Sequence, residues 1–153
     1  MAKSIKLNLK GFEKMLADIQ AAGKDVDAAA AQAIKESARV VDSELHTEAA
    51  ASNVPDDITE QITTQTTQSA DTYSASVGWK LGTYNPQNPS AGYKAIFLNY
   101  GTVRRQTRRG YNRGAIQKRA VNQQFIYRAK QRAAPKVRKI QREILRKALG
   151  DLK

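Results

Sequence analysis

Apolar and polar residues alternate in distinct local patterns along this chain, and each pattern predicts an element. From Ser4 to Lys10 every second residue is apolar and two of the residues between are lysine, which predicts an edge strand. From Phe12 to Ala22, and again from Asp25 to Ala50, apolar residues recur at helical spacing. The second helix has a narrow apolar stripe rich in alanine, so we expect it to lie across a sheet or against the C-terminal helix.

The sequence pattern in the middle of the chain predicts a loop, a hairpin and a second loop. Ala51 to Asp57 contains Asn and Pro and predicts a loop. Thr63 to Gln68 and Thr72 to Lys80 predict an antiparallel hairpin, because large side chains occupy every second position of the latter segment. Those core-facing positions are Tyr73, Ala75, Val77 and Trp79. Leu81 to Gly92 has prolines, glycines and no period, which indicates a loop.

The densest apolar stretch, Y-K-A-I-F-L-N-Y-G-T, runs from Tyr93 to Thr102. Its spacing fits a short helix that Ser90 caps and Gly101 ends, and it also fits a short buried strand; we favour the helix. In the helix Tyr93, Ile96, Phe97 and Tyr100 share one face. We expect the rest of the domain to cover these four side chains, because such a cluster is rarely left in water.

The last third is helical in composition. Ala115 to Ala134 predicts one helix, Pro135 a break or a fresh start, and the following residues a second helix that stops at Gly150. One face of this second helix is apolar. The opposite face is basic and consists of Lys136, Arg138, Lys139, Arg142, Arg146 and Lys147.

Together these elements predict an α+β fold, in which a small antiparallel sheet packs against a long N-terminal helix and a long basic C-terminal helix. The length of 153 residues fits a single domain spanning 1–153. There is no cysteine, and therefore no disulfide or thiolate metal site. The N-terminus does not resemble a signal peptide, and no segment is apolar for long enough to cross a bilayer, so we expect no membrane partner.

Charge is divided unevenly along the chain, whose formal net charge is +12. Residues 1–93 carry 8 basic and 12 acidic side chains, whereas residues 94–153 carry 18 basic and 2 acidic ones. Such asymmetry predicts a partner of opposite sign, which could be nucleic acid, an acidic protein surface or the acidic half of another copy.

A basic loop at about 103–114 concentrates this charge. It has few apolar anchors, so we expect it to be mobile until a partner orders it. One interpretation is contact with phosphates, with the tyrosine stacking on a base or sugar. The other is docking onto carboxylates of a protein neighbour, or a solvated loop with no specific target; between the two kinds of binding we favour protein docking. The residues that either interpretation uses are Arg104, Arg105, Arg108, Arg109, Tyr111 and Arg113.

Side chains that could support catalysis are sparse. His46 is the one histidine, and a metal site with Asp42 and Glu48 is less favoured than a solvated helix face. Asp56 and Asp57 are adjacent and therefore diverge in most backbones. There is no nucleophile elbow, phosphate-binding glycine loop or zinc spacing. We therefore predict a protein that is not an enzyme, with no catalytic residue, metal or cofactor.

Taken in order, several short motifs resemble the neck and tail-completion proteins of long-tailed double-stranded DNA phages. That family includes the HK-type minor tail components and, more distantly, the lambda-type tail completion protein Z. The motifs are L-N-L-K-G-F-E-K-M-L, A-R-V-V-D-S-E-L, S-V-G-W, Y-K-A-I-F-L-N-Y-G-T and F-I-Y-R-A. The family usually has an acidic residue where this chain has Asn99. The residues that fill the family's central motif are Tyr93, Ala95, Asn99, Tyr100, Gly101 and Thr102.

The resemblance implies a structural virion protein, made in the host cytoplasm, that forms a ring between the head connector and the tail tube. Its implied partners are further copies of itself in a hexameric or larger ring, the head-connector protein and the tail-tube or tail-terminator protein. Packaged DNA is a further, non-specific partner that the basic loop could touch. The competing hypothesis is a free-standing nucleic-acid-binding protein that uses the basic loop and the basic C-terminal helix.

Overall fold

A three-stranded sheet and five helices make up the part of the protein that its computed structural model describes, namely residues 4–69, 72–82, 84–101 and 124–150. The predicted α+β class is confirmed. The elements in chain order are β1 (Ser4–Asn8), α1 (Glu13–Ala21), α2 (Val26–Ala51), α3 (Asp56–Thr59), β2 (Thr63–Ser69), β3 (Thr72–Gly78), α4 (Ala91–Tyr100) and α5 (Phe125–Leu149).

The sheet is antiparallel with the order β1-β3-β2, so β3 lies in the centre and β1 forms an edge. Both the predicted edge strand and the predicted hairpin are confirmed, with Thr64 opposite Val77. Ala75, Val77 and Trp79 are buried as their alternation predicted. The indole Nε1 of Trp79 donates a hydrogen bond to the Ile58 carbonyl at 2.7 Å, which fixes α3 beside the end of β3.

Helix α2 packs on the sheet and along α5, and its predicted alanine-rich stripe is buried. The Asp25 carboxylate caps its first turn by accepting a hydrogen bond from the Ala28 N–H at 2.9 Å. Ala30 and Ala33 are fully buried, and their small side chains let neighbouring elements approach the α2 backbone closely. The core therefore lies between the sheet, α2 and α5.

The predicted break at Pro135 is wrong, because α5 continues through it from Phe125 to Leu149. Pro135 is exposed, whereas Ala129, Ala133 and Val137 are buried on either side of it. Burial of this stripe on both sides of the proline offsets the loss of one backbone hydrogen bond. The predicted helical residues 115–123 lie outside the described part of the chain.

Replacing Pro135 with alanine is expected to raise the free energy of unfolding by about 1–3 kcal/mol, because the new N–H can donate to the Gln131 carbonyl one turn earlier. Urea unfolding followed by circular dichroism measures the change. Pro135→Gly is the matched control: it also restores the N–H but adds backbone freedom, so its gain should be smaller. A Pro135→Ala variant no more stable than the parent would contradict this explanation.

Candidate interaction surface

Helix α4 contains most of the central motif. Its small residues, and not its large ones, form the fully buried face. The helix and its termination at Gly101, which has a positive φ of 77°, are confirmed. Ser90 occupies the N-cap position, but its side chain makes no capping hydrogen bond. The prediction that the large side chains are covered is met only in part: Tyr93, Ile96 and Phe97 are half-buried and Tyr100 is exposed. The fully buried face consists of Ala91, Gly92, Ala95 and Asn99.

The close approach of α4 to the chain after β3 explains this orientation. A Cβ atom on Gly92 would lie 2.6 Å from the Lys80 carbonyl oxygen and 3.1 Å from Cδ2 of Leu81. Ala95, one turn further along, is fully buried. Only small side chains fit at this contact, so the large residues of α4 are directed elsewhere.

Asn99 is the polar member of the buried face. Its Oδ1 accepts a hydrogen bond from the Ile126 N–H at 3.0 Å, in the first turn of α5. The first N–H groups of a helix have no partner within the helix, so Asn99 acts as a cap supplied by another helix. Its Nδ2 is buried without a hydrogen-bond partner in the described part of the chain.

Asn99→Ala is expected to lower the free energy of unfolding by about 1–2 kcal/mol, since it leaves the Ile126 N–H without its acceptor. Asn99→Asp keeps the acceptor, removes the unpaired amide and places a negative charge at the positive end of α5. It should therefore be clearly more stable than Asn99→Ala at neutral pH. Thermal unfolding of both variants provides the comparison, and equal losses would show that the cap contributes nothing.

The large residues of α4 form a surface that we call the aromatic face of α4: Tyr93, Ile96, Phe97 and Tyr100, extended by Tyr84. The Tyr84 and Tyr93 rings meet edge to face with centroids 4.9 Å apart, and Tyr93 and Phe97 follow at 6.5 Å. Tyr84 is 50% exposed and Tyr100 is 41% exposed. Tyr93, Ile96 and Phe97 are half-buried and lie outside the core cluster.

Glu48 on α2 is buried and binds two arginines of α5. Its Oε2 accepts from Nε of Arg128 at 2.6 Å, and Arg132 contacts its Oε1. Arg128 also donates to the Ser52 hydroxyl at 2.7 Å. The prediction that Glu48 belongs to a solvated helix face is wrong. The pattern that could have revealed it is its position three residues after Leu45, in line with the apolar stripe of α2.

The predicted basic side chains of α5 are exposed, as expected; we call them the basic face of α5. Lys136 pairs with Glu44 of α2, and Lys139 lies 3.9 Å from Glu143. The other members form no ion pair with a carboxylate of the described residues: Arg138, Arg142, Arg146 and Lys147. Positive charge on this face is therefore available to a partner.

The acidic and histidine side chains considered for chemistry do not converge. His46 is exposed and lies 3.9 Å from Asp42, whereas Glu48 is held by the arginines of α5. Asp57 is instead 3.7 Å from Lys94. In the described ranges no three His, Asp or Glu side chains are grouped as metal ligands would be. No helix in the same ranges has the length and apolar content needed to span a membrane.

The predicted basic loop, with Arg104, Arg105, Arg108, Arg109, Tyr111 and Arg113, lies outside the described residues, as does Thr102 of the central motif. The described residues on either side of it do meet. The side chain of Asn99 bonds the backbone of Ile126, so the end of α4 and the start of α5 are in contact.

Comparison with known proteins returns no match to this chain among family models, curated proteins or solved structures.

Proposed function

We propose that this chain is a structural protein of the virion of a long-tailed double-stranded DNA phage, and not an enzyme. In this proposal it acts at the head–tail junction, as a tail-completion or tail-terminator subunit, and forms a ring between the head connector and the tail tube. The observation that carries the proposal is the aromatic face of α4, which is formed by the central motif on which the resemblance rests.

The arrangement of that motif suits a subunit that assembles. Its small residues, Ala95 among them, attach α4 to the domain, while the residues of the aromatic face keep part of their surface in solvent. A contiguous apolar surface on a small protein is typical of an interaction site, because leaving it in water is unfavourable. The same motif thus supports the fold with one face and offers a contact with the other.

The charges favour contacts between copies. The basic face of α5 is opposite in sign to a set of exposed carboxylates on α1, α2, α3 and the turns that precede or follow these helices: Asp18, Asp25, Asp27, Asp56, Asp57 and Glu60. When two different surfaces of one chain are complementary, head-to-tail association closes into a ring if the rotation between copies permits it. Charge complementarity would also set the register between copies.

Native mass measurement tests the proposal, with the chain alone and mixed with head-connector or tail-tube protein. We expect a ring or a defined complex, and its loss in the double variant Tyr93→Ser/Phe97→Ser, which makes the aromatic face of α4 polar. Tyr127→Ser is the matched control, because Tyr127 is a 55% exposed tyrosine on α5. A chain that stays monomeric and binds neither protein would rule the proposal out.

The unpaired cations of α5 support a second candidate function, the binding of nucleic acid through phosphates without base readout. In a virion this would be contact with packaged DNA; in a free-standing protein it would be the main activity. Titration of duplex DNA at increasing salt distinguishes this candidate, since phosphate contacts release counterions and weaken steeply with salt. Absence of duplex binding at low salt would eliminate it.

A further inference from the structure

A positively charged groove of about 420 Å³ lies between β1 and α5. Its apolar lining includes Phe12, Val41 and Val137, so the groove has an apolar floor. No Asp or Glu is among the described residues that line it. The cations that line it are Lys6, Lys10, Lys130 and Arg138.

These four cations form no ion pair with a carboxylate in the described part of the chain. Glu13, at the start of α1, is close to Lys10 but already engaged, because both of its oxygens accept from the Gly11 N–H at 3.0 Å. That hydrogen bond, together with a weaker attraction from Lys10, lowers the pKa of Glu13. Even with this carboxylate ionised, the four cations leave the groove with a net positive charge at neutral pH.

The outer edge of β1 faces this groove, and no strand of the described residues pairs with that edge. Gln141 donates to the Asn8 carbonyl at 3.2 Å, so the backbone of Asn8 faces α5. At the other end of the pairing, the Gly78 carbonyl opposite Ser4 accepts from the Thr63 hydroxyl of β2. In an antiparallel pair alternate residues bond across the ladder, so the backbone N–H and C=O of Lys6 point away from β3, toward the groove.

We propose that this groove binds an extended acidic segment of another polypeptide, which adds a strand to the free edge of β1. Such a segment would pair with the Lys6 backbone, place alternate apolar side chains on the floor and direct its carboxylates to the four cations. A nucleic acid would use the cations alone, so a peptide accounts for more of the groove. The inference goes beyond the virion role and does not depend on it.

A capped peptide of sequence D-V-E-V-E-V-D, labelled with a fluorophore, is a suitable probe for binding to the full chain at about 0.15 M ionic strength. We expect saturable binding. The lysine analogue K-V-K-V-K-V-K should not bind, because it carries the wrong charge. The same acidic sequence with alternate backbone nitrogens methylated should bind at least tenfold more weakly, because it cannot pair with a strand.

Two variants of the chain separate charge from strand pairing. Lys6→Ala removes the charge of the side chain and keeps the backbone N–H, whereas Lys6→Pro removes both. The proline should leave the pairing of β1 with β3 intact, because proline is tolerated where the N–H of an edge strand faces outward. We expect Lys6→Pro to bind at least about fivefold more weakly than Lys6→Ala. Lys130→Ala/Arg138→Ala should weaken binding about tenfold, whereas Arg142→Ala/Arg146→Ala, an equal loss of charge outside the groove, should change it less than twofold.

Equal losses from the two double variants, or full binding of the methylated peptide, would overturn the proposal. So would displacement of the acidic peptide by a short duplex DNA that binds more tightly, which would make the groove a phosphate site. Circular dichroism shows whether Lys6→Pro folds. If it does not, the methylated peptide alone decides, because it is measured on the unaltered chain.

Discussion

Glu48→Ala is expected to lower the free energy of unfolding by about 3–5 kcal/mol, because it breaks a buried ion pair and leaves its partner behind. Glu48 is 1% exposed, and its carboxylate is the counter-charge of Arg128 and Arg132. Without it Arg128, whose Nη1 is already buried without a hydrogen-bond partner in the described structure, becomes an uncompensated charge between α2 and α5.

Urea unfolding measures this loss, which should appear as a lower midpoint with an unchanged slope. Glu44→Ala is the matched control on the same helix: its partner Lys136 is exposed, so the loss should stay below about 1 kcal/mol. Replacing Glu48 and Arg128 together with methionine should recover much of the stability, because neither charge is then left unpaired. Equal effects of Glu48→Ala and Glu44→Ala would contradict this role for Glu48.

Gly92→Ala is expected to destabilise the protein by about 1–3 kcal/mol, even though alanine is the better helix former by about 1 kcal/mol. The added Cβ would lie 2.6 Å from the Lys80 carbonyl oxygen, and a backbone atom cannot turn aside as a side chain can. Helix α4 must shift away from the chain that follows Trp79. The sign of the change therefore separates helix propensity from the close contact.

Thermal unfolding of Gly92→Ala gives this sign directly, and we expect a decrease of several degrees. Gly82→Ala serves as the control, because its Cβ would meet only the Ser90 side chain at 3.8 Å, an ordinary van der Waals distance. Its melting temperature should stay close to that of the parent. A Gly92→Ala variant more stable than the parent would show that α4 is not held by this contact.

Helix α4 connects the fold to the proposed interactions. Through Asn99 it caps α5, and through Gly92 it contacts the segment that follows β3. A partner that binds its aromatic face therefore acts on an element that touches both. The Tyr93→Ser/Phe97→Ser variant changes two half-buried side chains that lie outside the core cluster. It should therefore alter association without a large loss of stability, which distinguishes a contact surface from a structural one.

Elements with long and regular patterns could be predicted from sequence. The stripe of α2 spans seven turns, so local periodicity was enough to identify most of its buried residues. The hairpin could be predicted equally well, because Ala75, Val77 and Trp79 occupy every second position of β3 and its end. The basic face of α5 followed from the same reasoning.

Short or interrupted patterns did not predict which residues are buried or where a helix ends. In α4 the apolar residues outnumber the polar ones on every side, so hydrophobicity did not reveal that the small residues face inward. At Pro135 the local cost of proline predicted a break, but the packing of Ala133 and Val137 outweighed it. The ion pairs of Glu48 join residues 80 positions apart, beyond the reach of any local pattern.

The amino-acid sequence by itself determined the class of the fold, the pairing of the hairpin, the faces of the long helices and the separation of charge, because each depends on residues a few positions apart. Only the tertiary structure decided which face of α4 is buried, that α5 is one helix, that Glu48 pairs with two arginines of α5 and that the cations of α5 and β1 share a groove. These features depend on which elements meet, and the free energy of burying a side chain or a charge is set by the neighbours that surround it.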